Sequence, residues 1–212
     1  MKMKIVVFGG SGFIGQKLLE ILVKRGHDII SVSRHGRPDS LTEKWADKIT
    51  WVSSDILNDH EWQKYVKDAD WIIDSVGILF ENPKKNITYD RFIVQPVREI
   101  TDFLKNNKSE NRFLFISANK GPFIFRKYME AKYLAEKITK RQNKNNLIVY
   151  PGLVFDSVKT SSIVITLPLR ILNHIPLLNK VIIGYLPIKR VTLAKEISKI
   201  IDGGQSIYTK RR

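Results

Sequence analysis

The stretch Phe8-Gly9-Gly10-Ser11-Gly12-Phe13-Ile14-Gly15 decides the fold. Its glycines read as Gly10-x-Gly12-x-x-Gly15 or as Gly9-x-x-Gly12-x-x-Gly15. Without side chains the backbone turns tightly and can approach a pyrophosphate. The helix opening behind it offers free amides and the positive end of its dipole. Glycines in a turn are weak evidence alone. Here an apolar run, residues 4–8, precedes them, and an amphipathic run follows with Phe13, Ile14, Leu18, Leu19 and Leu22 on one face. Strand, glycine turn and helix in that order supply the context the motif needs. Residues Gly9, Gly10, Ser11, Gly12, Phe13, Ile14 and Gly15 are thus expected to cradle a dinucleotide.

Outward from this point the pattern repeats. Apolar runs suited to buried strands lie at residues 28–33, 49–52, 71–75, 112–117 and 147–150. Helical stretches fall between them, at 13–24, 41–46, 60–67, 91–106 and 126–140. Such alternation means parallel pairing with right-handed crossovers, hence an α/β fold with a doubly wound parallel sheet. Beyond Pro151 the alternation stops, and Leu167-Pro168, Ile175-Pro176 and Leu186-Pro187 punctuate an apolar region before a helix at 191–201. The expected division is a nucleotide-binding domain over 1–156 and a small cap or substrate region over 157–212 of the same compact unit.

Composition narrows the function classes. A chain of 212 residues, 43% hydrophobic, with ten Phe, seven Tyr and four Trp, fills a real core and is not a disordered tail. The absence of cysteine excludes disulfides, thiolate nucleophiles and cysteine metal sites. His27, His35, His60 and His174 show no ligand spacing, so no metal site is expected. The formal charge of +15 is uneven: residues 1–106 hold 16 basic and 15 acidic side chains, residues 107–212 hold 20 and 6. A basic second half suggests an anionic partner. Nucleic acid is not the expected one, because aromatic and basic residues do not interleave as on an RNA-binding sheet.

Cofactor choice is read where the second strand ends. An NAD site usually places a carboxylate there for the ribose hydroxyls. This chain has Ser31-Val32-Ser33-Arg34-His35-Gly36-Arg37, without an acid. Ser33, Arg34 and Arg37 instead suit a 2′-phosphate held by charge-assisted hydrogen bonds, so NADP(H) is expected, with NAD(H) as the alternative. Asp55 and Ile56 follow the third strand, where an acid can reach the adenine amino group or simply cap the next helix. Asp74-Ser75-Val76-Gly77 ends the fourth strand, and Val76 and Gly77 suit backbone contact with the cofactor.

These motifs, with Ser117 after the fifth strand and Tyr128-Met129-Glu130-Ala131-Lys132, resemble the atypical or extended short-chain dehydrogenase/reductases. Tyr150-Pro151-Gly152-Leu153-Val154-Phe155 is similar to the arginine-proline-glycine stretch of extended members, with Pro151, Gly152 and Val154 as further cofactor contacts. The nearest branch includes epimerase/dehydratases, fungal coenzyme Q accessory proteins and the Rossmann accessory subunit of respiratory complex I. The resemblance implies that Tyr128 acts as acid/base and Lys132 holds the nicotinamide ribose. It also implies that Ser117 steadies the substrate oxygen. Positions 128 and 132 share a helix face, as that chemistry requires. One departure stands out: the relay asparagine of many members is Ile93 here, followed by Gln95-Pro96.

The expectation is therefore an NADP(H)-dependent oxidoreductase acting on a carbonyl or alcohol. The alternatives are an NADPH-binding accessory or sensing protein of a membrane or quinone-related complex, and a nucleotide-sugar-type epimerase or dehydratase. The expected partner is a small molecule, and an anionic one suits the basic second half. Peripheral membrane or protein-complex docking is a secondary option. The apolar region at 161–178 is interrupted by Pro168, Arg170, His174 and Pro176 and does not read as a membrane span. A cytoplasmic location is expected, with the mitochondrial matrix as the alternative if a presequence has been removed.

Overall fold

Side chains alternate across a strand, and here both alternating sets are apolar. In β1 (Lys4–Phe8), Ile5 and Val7 join one hydrophobic cluster while Val6 and Phe8 join another. A strand buried on both faces belongs at the centre of a sheet covered by helices. The computed structural model describes residues 2–108, 111–156 and 187–211 and places it there. With β2 (Asp28–Ser33), β3 (Ile49–Ser53), β4 (Trp71–Asp74), β5 (Arg112–Ile116) and β6 (Leu147–Val149), it forms a sheet of order β3-β2-β1-β4-β5-β6. Every ladder is parallel. This is the doubly wound Rossmann-like arrangement, with its switch of direction between β1 and β4.

One face is covered by α1 (Phe13–Lys24) and the other by the short α2 (Gln63–Val66), α3 (Gln95–Asn106) and α4 (Arg126–Gln142). Arg126–Gln142 extends the expected 126–140 by two residues, and α1 occupies its expected 13–24. The helix expected at 91–106 is divided. A π-turn, Asp90–Val94, precedes α3, which begins at Gln95 with Pro96 in its first turn. Proline has no amide to donate, so it is tolerated at a helix start and breaks a helix interior. The helix expected at 41–46 is a 3₁₀ turn, Lys44–Lys48.

Of the expected cap, residues 157–186 lie outside the described ones. The segment from residue 187 onward rejoins the nucleotide-binding fold. A two-residue strand β8 (Ile188–Lys189) pairs in parallel with β7 (Val154–Phe155) and leads into α5 (Arg190–Ile201). Leu193, Ala194 and Ile197 of α5 are fully buried in the cluster that holds Leu18, Leu19 and Leu22 of α1. This helix is a layer of the nucleotide-binding fold and does not stand over the cleft. Arg190 fastens its start to the glycine turn, donating to the Phe13 carbonyl at 3.0 Å and pairing with Asp156 at 2.5 Å. Ile197→Ala is expected to cost about 2–5 kcal/mol of stability by urea unfolding, the range for emptying a buried aliphatic site. A change below a few tenths would place α5 outside the core.

Candidate functional site

The glycine turn crosses the exit of β4 at very short range. Gly9 has φ +76°, and a Cβ there would stand 2.9 Å from the Val76 nitrogen. A Cβ on Gly15 would lie 2.3 Å from the Gly9 carbonyl oxygen, so the first turn of α1 is pressed onto the loop. The loop is closed by the Gly12 amide donating to Gly9 O at 2.9 Å. Gly12 is the N-cap of α1 and brings no side-chain cap, which leaves first-turn amides for an external anion.

Above this turn lies a cleft of about 240 Å³. Gly9, Ser11 and Gly12 line it from the turn, Ser33 and Arg34 from the end of β2, Asp55 and Ile56 from the end of β3, and Val76 and Gly77 from the end of β4. Gly10, Phe13, Ile14 and Gly15 do not line it. The residues present fit a dinucleotide: the glycine turn and the uncapped start of α1 suit a pyrophosphate, and Ile56, Phe92 and Pro96 suit an adenine.

Arg34 and Arg37 part company. The Arg34 guanidinium lies 5.0 Å from the centre of the Phe92 ring, at the edge of the cleft. Arg37 donates through Nε and Nη2 to the Leu41 carbonyl and through Nη1 to Asp47 at 2.7 Å. The expectation that Arg37 joins Arg34 is corrected: its guanidinium is satisfied inside its own loop and does not line the cleft. Arg91 does, together with His35. Arg91 and Phe92 stand on the π-turn, a feature with no sequence signature, so the sequence pattern marks both only as the start of a helix. Asp55 lines the cleft while its carboxylate accepts from the Leu57 amide at 3.1 Å and the Asn58 side chain at 2.7 Å.

Of the expected proton-transfer residues, Lys132 lies 5.8 Å from the Tyr128 ring centre, while Ser117 is engaged elsewhere. The Ser117 hydroxyl donates to Glu136 Oε1 at 2.5 Å, and Arg211 pairs with the same oxygen while lying over the Tyr133 and Tyr150 rings. Glu136 stands two helical turns beyond Tyr128 on α4. Burial first, then neighbouring Tyr89, pushes the Tyr128 phenol above its ordinary range. Ile93 is fully buried. Pro151, Gly152 and Val154 do not line the cleft; Pro151 accepts from the Asn119 amide, and Val154 sits in β7.

Lys132 is buried at 4% exposure, donates to the Ile116 carbonyl at 2.8 Å and stands 4.7 Å from the Phe115 ring centre. Asp74, the last residue of β4, is fully buried; in the sequence it stands inside a small-residue exit and carries no signal of its own. Burial raises its carboxyl to about 7 against the Val76 amide and the Lys132 charge, which lower it. Burial likewise lowers Lys132 to about 8 against Asp74 and Glu136, which raise it.

Residues 9–170 match the NAD(P)H-binding family, a span of more than half the chain. The chain belongs to that family. It is 28% identical over 202 residues to MIOREX complex component 2 of Saccharomyces cerevisiae, covering 72% of this chain and 73% of that one. A chloroplastic protein of Arabidopsis thaliana is 27% identical over 173 residues, 78% of this chain and 55% of its own length. The chain thus spans little more than half of that second relative. Among solved structures, a UDP-N-acetylglucosamine 4-epimerase from Methanobrevibacter ruminantium, in complex with UDP-N-acetylmuramic acid, superposes with a TM-score of 0.63. The pair share 18% identity, over 92% of this chain and 72% of the epimerase, a likeness of fold. The yeast relative overturns the partner expectation, which put a small molecule first and docking on a protein complex behind it. A relative similar along most of both chains is named as a complex component.

The buried pair makes stability pH-dependent in two windows. Asp74 folded holds its proton more tightly than at its ordinary 3.8, so its contribution falls as pH rises towards about 7. Lys132 folded releases its proton more readily than at 10.5, so stability recovers from about 8 upward. The difference in urea stability between wild type and Asp74→Asn/Lys132→Met is expected to fall through the first window and rise through the second. A difference independent of pH would refute this.

Proposed function

We propose that the protein is an NADP(H)-binding component of a protein assembly, in which the nucleotide is held as a structural or sensing ligand. One observation carries the reading: beside the nucleotide cleft, the serine expected to steady a substrate oxygen is engaged by a carboxylate and the relay position is apolar. Ser117 is engaged by Glu136, the Tyr128 phenol is pushed upward, and the relay position is the buried Ile93. The name of the yeast relative supports membership of an assembly. No helix among the described residues is long and apolar enough to cross a membrane. A chloroplastic relative supports an organellar compartment as much as a cytoplasmic one.

NADP(H) is favoured because β2 ends without a carboxylate and because Arg34 and Arg91 bring two guanidiniums to the cleft. Guanidinium and phosphate form paired, charge-assisted hydrogen bonds. Arg34→Ala and Arg91→Ala are each expected to weaken NADPH about tenfold or more while leaving NADH nearly unchanged, since a hydrogen bond to a charged group contributes about 1.5–3 kcal/mol. Equal weakening of both nucleotides would remove the 2′-phosphate assignment.

A second reading, a short-chain-type oxidoreductase or an epimerase or dehydratase, draws support from Tyr128 and Lys132 on one face of α4, the ammonium 5.8 Å from the phenol ring centre. Tyr128→Phe separates the two. For a held ligand, it leaves NADPH affinity and the nucleotide-induced rise in melting temperature as in wild type. Sustained NADPH oxidation by the wild type that Tyr128→Phe abolishes would overturn the non-catalytic reading.

A further inference from the structure

Among the described residues, Phe123 and Ile124 are the most exposed large apolar side chains, at 82% and 70%. They stand on a 3₁₀ turn, Phe123–Phe125, that follows Pro122 and is closed by the Phe125 amide donating to the Pro122 carbonyl at 2.8 Å. The third side chain of the turn points the other way. Phe125 packs on Phe80 and on Tyr128, with ring centres 5.7 and 6.3 Å apart. Phe80 comes from the loop after β4 and is itself half exposed. The loops that follow β4 and β5 thus meet in one apolar tip. Single exposed apolar side chains are ordinary, whereas adjacent ones held outward on a fixed turn mark a contact surface.

The surroundings of the tip are basic. Lys120 precedes Phe123 by three residues and Lys127 follows it by four, while Lys84 and Lys85 follow Phe80 by four and five. Chain stretches of that length reach at most about 18 Å, so all four ammonium groups belong to the same surface. Each is exposed, and none forms a salt bridge among the described residues. Residues 80–87 and 120–130 together hold five cations and two acids. Both acids are engaged: Glu130 pairs with Arg126 at 2.8 Å, and Glu81 accepts from the Tyr89 amide at 2.8 Å.

That charge decides the occupant. A second copy of this chain would set the same cations against each other. Protein interfaces exclude lysine from their centres, where stripping water from an ammonium is costly. At a lipid surface the two parts separate. Apolar tips enter the boundary of the acyl chains, while lysines stay hydrated among the headgroup phosphates. We propose that the Phe123-Ile124 tip, with Phe80, docks the protein on the surface of an anionic lipid bilayer, with the four lysines on the headgroups. The turn is already folded, so docking has no loop to order. Ile78, two residues before Phe80, lines the cleft, so the docked protein holds its cleft beside the bilayer. This goes beyond membership of an assembly and does not depend on what the cleft binds.

The test is co-sedimentation of the full chain with vesicles of phosphatidylcholine alone or with about one third phosphatidylglycerol, at low salt and at about 0.5 M salt. Wild type is expected to bind anionic vesicles about tenfold or more tighter than neutral ones, and to leave them in high salt. Phe123→Ser/Ile124→Ser is expected to weaken anionic binding about tenfold or more, and Lys84→Glu/Lys127→Glu to remove the preference for anionic lipid. In Phe123→Trp the added emission is expected to be quenched by lipid brominated in its acyl chains. Wild type that ignores anionic vesicles, or binding that both double variants leave unchanged, overturns the proposal. Retention on immobilised polyglutamate without vesicle binding overturns it in favour of an acidic protein face. If Phe123→Ser/Ile124→Ser does not fold, Phe123→Trp decides: quenching upholds the proposal, and its absence overturns it.

Discussion

The backbone of Gly9 passes the exit of β4 with no room for a side chain, and the site is built on that crossing. It holds the ends of β1 and β4 together at the one place where successive crossovers leave in opposite directions. A crevice opens there because no helix can cover both sides of the switch. Ser75 reinforces the join by donating its hydroxyl to the Phe8 carbonyl at 2.7 Å. The same crossing aims the uncapped start of α1 into the crevice. Phosphate binding then needs backbone amides and little net charge, consistent with a first half that carries almost none of the +15.

Polar chemistry on the other side of the switch is internal. Two buried polar groups lie at the ends of β4 and β5: Asp74, whose carboxyl feels the Lys132 charge, and Ser117 with Glu136 and Arg211. Neither contributes a side chain to the wall of the cleft. Arg211 comes from the end of the described chain and also donates to the carbonyls of Ala118 and Asn119, at 3.0 Å for the former. A segment distant in sequence thereby fixes the loop after β5, the loop on which a serine-based relay would depend.

The elements are legible in the sequence to different depths, for a physical reason in each case. Strands 4–8 and 28–33 appear with their expected limits because a strand buried on both faces is an uninterrupted apolar run bounded by polar residues. The first helix is equally clear from its single apolar face. The π-turn before α3 is not: it depends on one displaced hydrogen bond ahead of Pro96, and it puts Arg91 and Phe92 on the cleft wall. Arg37 departs from expectation because sequence distance from the glycine motif says nothing about whether a guanidinium finds a nearer acceptor. It finds the Leu41 carbonyl.

The glycine motif, the strand and helix rhythm and the missing acid after β2 are enough to specify a doubly wound sheet and a dinucleotide cleft at its switch point. These are local signals, each carried by a few neighbouring residues whose backbone preferences and apolar spacing act over a single element. Which side chains enter the cleft, and in which ionisation state, required the fold. Asp74 and Lys132 are 58 positions apart, Glu136 and Arg211 75. Their proximity depends on strand order and helix packing, which no local pattern encodes. The sequence could offer a tyrosine, a lysine and a serine at suggestive spacing. Tertiary packing turned the serine toward Glu136, raised the phenol and buried the lysine against the Phe115 ring.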